Sequence, residues 1–220
     1  MYKQILRKIF FSLLFILSIY ISGYAQEHPE IEFGIISIEE LTDSIYEADI
    51  NAPAIIMFEC GEAYFNNYLE IEYKKHVRIK IFNKSGYKFA NVRIPFRSDG
   101  YKEYITDIEG YTTYLNENGE IVQSELNSDD IFTDEVNKNY SFKIFTMPSL
   151  QPGCIVEYRY KMKTDYMNNF PNQWTFQHEI PVLWSEYKTE VPAFYRFVVF
   201  EQQTHPFFIN EQEEYKRTYT

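Results

Sequence analysis

LEIEYKKHVRIKIF, the stretch Leu69–Phe82, alternates apolar and polar residues along most of its length. Leu69, Ile71, Tyr73, Val77, Ile79 and Ile81 fall on one side. Glu70, Glu72, Lys74, His76, Arg78 and Lys80 fall on the other. Successive side chains of a strand point to opposite faces of its sheet, so this period of two predicts a strand with one buried and one wet face. Lys75 interrupts the apolar side, which predicts a bulge or a change of sheet near Lys74-Lys75.

Working outward, Asn83–Gly86 reads as a turn, and Tyr87–Phe96 resumes the extended pattern. Further strands are predicted at Ala54–Glu59, Tyr104–Leu115, Glu120–Gln123, Tyr140–Thr146, Cys154–Lys163, Trp174–Ile180 and Ser185–Val191. Cys60-Gly61 then reads as a turn closing the first of them. Asn118-Gly119 between two such runs is a strong hairpin signal, and Pro152-Gly153 marks another reversal. In Cys154–Lys163 the residues Cys154, Val156, Tyr158, Tyr160 and Met162 share a face that should be buried. Glu157, Arg159 and Lys161 then face outward, where their alternating signs suit cross-strand ion pairs of about 0.2–1 kcal/mol each. Pro181 cannot donate to a ladder, so Glu179–Trp184 is expected at a sheet edge or a crossover, with Trp184 packed beneath it. Ser37 followed by Glu40 fits a capping box and predicts a short helix at Ile38–Ser44. Many short strands with frequent turns predict a mainly β chain, an antiparallel β-sandwich with one short N-terminal helix.

Lys3, Arg7 and Lys8 precede an apolar run from Ile9 to Ile21, and Gly23-Tyr24-Ala25 supplies small residues at a cleavage site. That run is too short to span a bilayer and suits a secretory signal over residues 1–25. The chain is therefore expected to be exported, to the periplasm or cell envelope, with no membrane span after cleavage. Removing that segment leaves 18 Lys+Arg against 32 Asp+Glu, a net charge of −14. So acidic a chain lacks the clustered cations that nucleic acid and anionic headgroups demand. With 20 Tyr and 19 Phe in the whole chain, there is ample apolar material for a core, which argues against disorder.

No spacing predicts a catalytic constellation, a metal site or a cofactor. His28, His76, His178 and His205 form no zinc-binding pattern. His76 falls on the polar side of its strand and reads as solvated. His178, expected in a strand beside Glu179, reads as making a cross-strand hydrogen bond. Cys60 and Cys154 either pair or stand as separate thiols, since geometry cannot be read from spacing. Neither opens a helix, the usual way a protein makes a thiolate, so both read as structural. Asp129, Asp130, Asp134 and Glu135 lack the glycine turn of an EF-hand and read as a solvated acidic loop. Asn83 and Asn139 match the glycosylation triplet, a pattern that recurs by chance. In DYMNNFPNQ, Asp165–Gln173, and the following Trp174, rings stand beside amides. Tyr166, Phe170 and Trp174 are thus candidates for stacking on a glycan or peptide, or else they plug the end of the sandwich.

From Phe145 to Tyr187 a succession of blocks resembles a known family. Phe145-Thr146-Met147-Pro148 leads to Gln151-Pro152-Gly153 and Ile155–Tyr160, and after the aromatic loop comes Phe176–Tyr187. Ile55–Phe58, His76–Phe82, Ala90–Pro95 and Asp107–Thr112 agree in order. The chain resembles, over about residues 33–200, the domain of unknown function 3857 family, exported bacterial β domains that precede transglutaminase-like domains. The resemblance implies a β domain at residues 26–200, with 201–220 the start of a continuing region that reads as cut before the transglutaminase-like part. It carries no catalytic residue onto this sequence, and Cys60 and Cys154 do not match the downstream triad. The expected function is a non-catalytic exported module that binds a ligand or positions that neighbouring domain. The alternatives are the N-terminal part of a cysteine-dependent transglutaminase-like or peptidase enzyme, and a carbohydrate- or peptide-binding module.

Overall fold

The computed structural model describes residues 29–99, 103–165, 173–195, 200–202 and 206–213. The expected signal segment, Tyr166 and Phe170 lie outside the described residues. In chain order the elements are α1 (Ile38–Thr42), β1 (Ala54–Phe65), β2 (Ile71–Ile81), β3 (Asn91–Arg97), β4 (Tyr104–Leu115), β5 (Ile121–Glu125), β6 (Phe132–Asn137), β7 (Tyr140–Thr146), β8 (Ile155–Thr164) and β9 (Ser185–Glu190). They form a six-stranded sheet in the order β5-β4-β8-β2-β1-β9 and a three-stranded sheet in the order β3-β7-β6. All pairs are antiparallel except β9, which runs parallel to β1. The chain is mainly β, with two mostly antiparallel sheets and one short helix near the N-terminus. No described helix is long and apolar enough to cross a membrane.

The alternation in β2 builds the main core. Val77, Ile79 and Ile81 join Ala54 and Ile56 of β1, Val156 of β8, Val92 and Ile94 of β3, and Phe145 of β7 in one buried cluster. Both sheets supply that cluster, so their inner faces pack on each other. A second cluster, at the other end of β2, gathers Ala63, Phe65, Ile71, Tyr73 and Met162, with Trp174 and Tyr187 against it. The opposite face of the large sheet carries Ile155, covered by Ile36 and Leu41 from the segment around α1. That helix has its capping box: Ser37 Oγ accepts from Glu40 N at 3.2 Å, and Glu40 Oε2 accepts from Ser37 N at 2.8 Å. It ends at Thr42, because Asp43 turns to extended backbone.

Several expectations give way to packing. β2 keeps its register with both neighbours through Lys74 and Lys75, so no bulge lies there. The irregularity is in β1, where the register shifts between Ile56 and Phe58. The extra residue, Met57, inverts the facing of everything after it. Ala54 and Ile56 share the core face, but so then do Glu59, Gly61 and Ala63. Cys60-Gly61 is not a turn: β1 runs on to Phe65. Gly61 is required by close approach, since a Cβ built there would lie 2.4 Å from Trp174 Cζ3 and 2.8 Å from Tyr187 Cδ2.

Trp174–Ile180 is not a strand; it follows the sheet edge as irregular chain. Its continuation does lie at an edge, as Pro181 requires. Ile56 N donates to Pro181 O and Leu183 N to Ile56 O, both at 2.9 Å. Trp184 is only half-buried there and donates from Nε1 to Glu186 Oε2 at 3.1 Å. Tyr87–Phe96 splits into a 3-10 turn at Lys84–Ala90 followed by β3. The acidic segment contains β6, an edge strand that its acidic composition disguises, and Asp134 there accepts from Arg93 at 3.1 Å.

Candidate functional site

Two polar clusters are built on β2, one on each face, and both contradict its simple reading as one dry and one wet side. On the face toward α1, Arg78 and Lys80 are each 2 % exposed and Glu157 of β8 is 1 % exposed. Arg78 donates from Nε and Nη2 to Glu157 Oε1 at 3.1 and 2.9 Å, and from Nη1 to Glu40 Oε1 at 2.8 Å. Its Nη2 also reaches the carbonyls of Glu32 and Ile35. Gly34 N donates to Glu157 Oε2 at 2.8 Å, and His76 Nε2 lies 2.7 Å from Glu157 Oε1. His76 is therefore not solvated: its ring sits between Phe33 and Phe58, with centroids 5.4 and 5.3 Å away. Lys80 Nζ donates to the carbonyls of Glu40, Leu41 and Gly153 at 2.8–2.9 Å. Burial pushes its pKa down to about 8. Glu157 does not face water as expected, but Arg159 and Lys161 do, and they pair with Glu109 and Asp107 across β4 at 2.8 and 2.9 Å.

The second cluster lies on the core face, at the edge shared by β1 and β9. Met57 has turned Glu59 inward, and it is 1 % exposed. Its Oε1 accepts from Ser185 Oγ at 2.7 Å and stands 2.7 Å from His178 Nε2. Ser185 Oγ in turn accepts from Trp174 Nε1 at 3.1 Å. Lys75 Nζ is 3.8 Å from Glu59 Oε2 and 4.7 Å from the centre of the Trp174 ring. Burial pushes the Lys75 pKa below the usual lysine value, and Glu59 pulls the other way. Beside these groups lies a cleft of about 240 Å³, whose lining includes Glu59, Lys75, His178 and Glu179 over Ile79 and Phe89.

This geometry is not that of a hydrolytic triad. Such a triad needs the histidine between the hydroxyl and the carboxylate, so that it can take the hydroxyl proton. Here Glu59 is the hub. Ser185 gives its hydrogen to the carboxylate, and His178 meets the same oxygen. Trp174, the one described member of the proposed stacking trio, stacks on Tyr187 at 5.1 Å and 8° and roofs Gly61. Cys60 and Cys154 are free thiols. Burial pushes Cys60 up to about 11, with Glu186 and Glu62 adding to the shift, and burial also raises Cys154. Among the described residues no group of three or more His, Cys, Asp or Glu is arranged to hold a metal. Three residues of this cluster carried a signal in the sequence: Lys75 as the break in an apolar face, Trp174 as a ring beside amides, and His178 as an expected hydrogen-bonding residue, which meets Glu59 from irregular chain and not from a strand. Glu59 carried none, because nothing in the local sequence announces the bulge at Met57.

The two packed sheets define the class, a mainly β domain. The chain belongs to the family described as a domain of unknown function with a solved structure, DUF3857, which it matches over residues 70–220. The match takes in β2 through β9 and starts after β1. Among solved structures, one from Parabacteroides distasonis, described as "a putative protease", is similar with a TM-score of 0.41 and 13% identity. The likeness covers 51% of this chain and 23% of that one, so this chain spans less than a quarter of its length. No curated protein matches.

Proposed function

We propose that this chain is a non-catalytic, exported β module that holds a neighbouring transglutaminase-like domain in place. The observation that carries this reading is the state of its nucleophiles. Acyl chemistry of the cysteine type needs a thiolate. At about 11, the Cys60 thiol stays protonated at neutral pH, and among the described residues no histidine is hydrogen-bonded to it. The Ser185 hydroxyl donates to Glu59 instead of to a base. The basic start and short apolar run of the first 25 residues support export. A second domain supplied by the same polypeptide would bring the chemistry.

The test compares this chain with the native polypeptide recovered from the envelope by an antibody to Glu211–Thr220. Both are assayed for amide hydrolysis and amine transfer on a glutamine-containing peptide. The expected result is a heavier native species with activity, and no turnover above background by this chain. Turnover by this chain that Cys60→Ser or Cys154→Ser abolishes would overturn the reading.

A further inference from the structure

Lys75 and Lys80 lie on opposite faces of one strand, and they are treated very differently. Lys80 gives its three N–H groups to three carbonyls at 2.8–2.9 Å and is saturated. Lys75 has one carboxylate oxygen at 3.8 Å, outside hydrogen-bonding distance, and a ring face at 4.7 Å. An ammonium carries three donors, and with 23 % of its side chain exposed Lys75 keeps donors open to the cleft it lines, where a ligand's carboxylate can take the place of water. Lys75 is thus an accessible site. It lines the 240 Å³ cleft, whose polar members also include the 1 %-exposed Glu59, along with His178 and Glu179. The charges there are mixed, with an ammonium and two carboxylates, one of which, Glu179, is already paired to Lys88 at the rim. The floor is apolar, with Ile79 and Phe89 among its members.

A lone anion would gain Lys75 but meet Glu59, and a lone cation would gain Glu59 but meet Lys75. A zwitterion answers both. The volume lies below the roughly 300–1,000 Å³ of clefts that take drug-sized ligands, which restricts the occupant to a small molecule. We infer that this cleft binds a free α-amino acid with an apolar side chain, its carboxylate on Lys75, its ammonium toward Glu59, and its side chain on the apolar floor. This goes beyond the positioning role proposed above and does not depend on it.

The test is a titration of the ¹⁵N-labelled full chain with leucine, leucinamide and N-acetylleucine, followed through the Trp174 indole N–H and the amides of Glu59 and Lys75. Leucinamide lacks the anionic oxygen pair and N-acetylleucine lacks the cation. Leucine is expected to shift these signals saturably, with each analogue binding about tenfold or more weakly, the scale of one charged hydrogen bond. Lys75→Met keeps the stem over Trp174 and should erase the preference for leucine over leucinamide. Equal binding of all three compounds, or no shifts with leucine at tens of millimolar (~), would overturn the inference on the unaltered chain, whatever the variant does.

Discussion

Replacing Arg78 by Met removes the guanidinium and keeps most of the stem, which makes it the sharpest probe of the cluster toward α1. Five donor contacts go: two to Glu157, one to Glu40, and one each to the carbonyls of Glu32 and Ile35. Glu157 then stays in a site where it is 1 % exposed, with only His76 and the Gly34 amide among the described residues to answer it. Breaking a buried pair by removing one partner costs about 3–5 kcal/mol, because a charge is left uncompensated. That is a large share of the ~5–15 kcal/mol that keeps a domain folded. In a chain of this size it corresponds to a fall in Tm of roughly 6–20 °C. Urea unfolding should show a lower midpoint with the slope unchanged, and limited proteolysis should find new cuts between Glu32 and Asp43. Arg159→Ala is the control: its partner Glu109 is 42 % exposed, and such surface pairs are worth about 0–1 kcal/mol. The double variant Arg78→Met, Glu157→Leu should recover part of the loss, since the stranded charge is gone. A loss below about 1 kcal/mol for Arg78→Met, or a double variant worse than the sum of the two singles, would refute the reasoning.

Two further outcomes follow from the core-face edge. Gly61→Ala forces a methyl into the Trp174 and Tyr187 rings, so it should destabilise by about 1–3 kcal/mol, and Trp174→Leu should absorb the Trp174 part of that penalty while the Tyr187 contact remains; equal costs in both backgrounds would show that the indole does not fill that space. Alkylation of Cys60 in a Cys154→Ser chain should accelerate with pH toward a midpoint of about 11, since burial and two carboxylates favour the neutral thiol; a midpoint near the ordinary ~8.5 would show an open thiol.

What could be read from the sequence was whatever a local rule governs. The period of two in Leu69–Phe82, the Asn118-Gly119 hairpin, the Pro152-Gly153 reversal and the Ser37–Glu40 capping box each depend on a few neighbouring residues, and each is present. The burial of Arg78, Lys80 and Glu157 is not local. It exists because residues 32–42 return over a sheet face that polarity alone marks as wet. Glu59 is less legible still, since one bulged residue at Met57 reverses which side it takes. Gly61 misled for the same reason: its smallness serves rings contributed from residues 174 and 187, more than a hundred positions away. Composition also hid β6, whose acidic residues suit an edge strand as well as they suit a loop.

The charged residues of β2 separate holding from binding. Arg78 and Lys80 meet carbonyls and carboxylates from the segment around α1, and each hydrogen bond ties that segment to the sheet. Their chemistry is spent within the fold, so altering them should unfold the chain rather than change what it recognises. Lys75 comes from the same strand and the same kind of residue, but its partner is out of hydrogen-bonding reach and a cleft lies beside it. Stability alone would favour an apolar side chain at that position, in line with Tyr73 and Val77 on either side. With 23 % of its side chain exposed, Lys75 keeps its ammonium open to the cleft instead of spending it within the fold. A ligand's carboxylate can reach it there, which is why Lys75, and not the better-bonded pair across the sheet, is the place to look for binding.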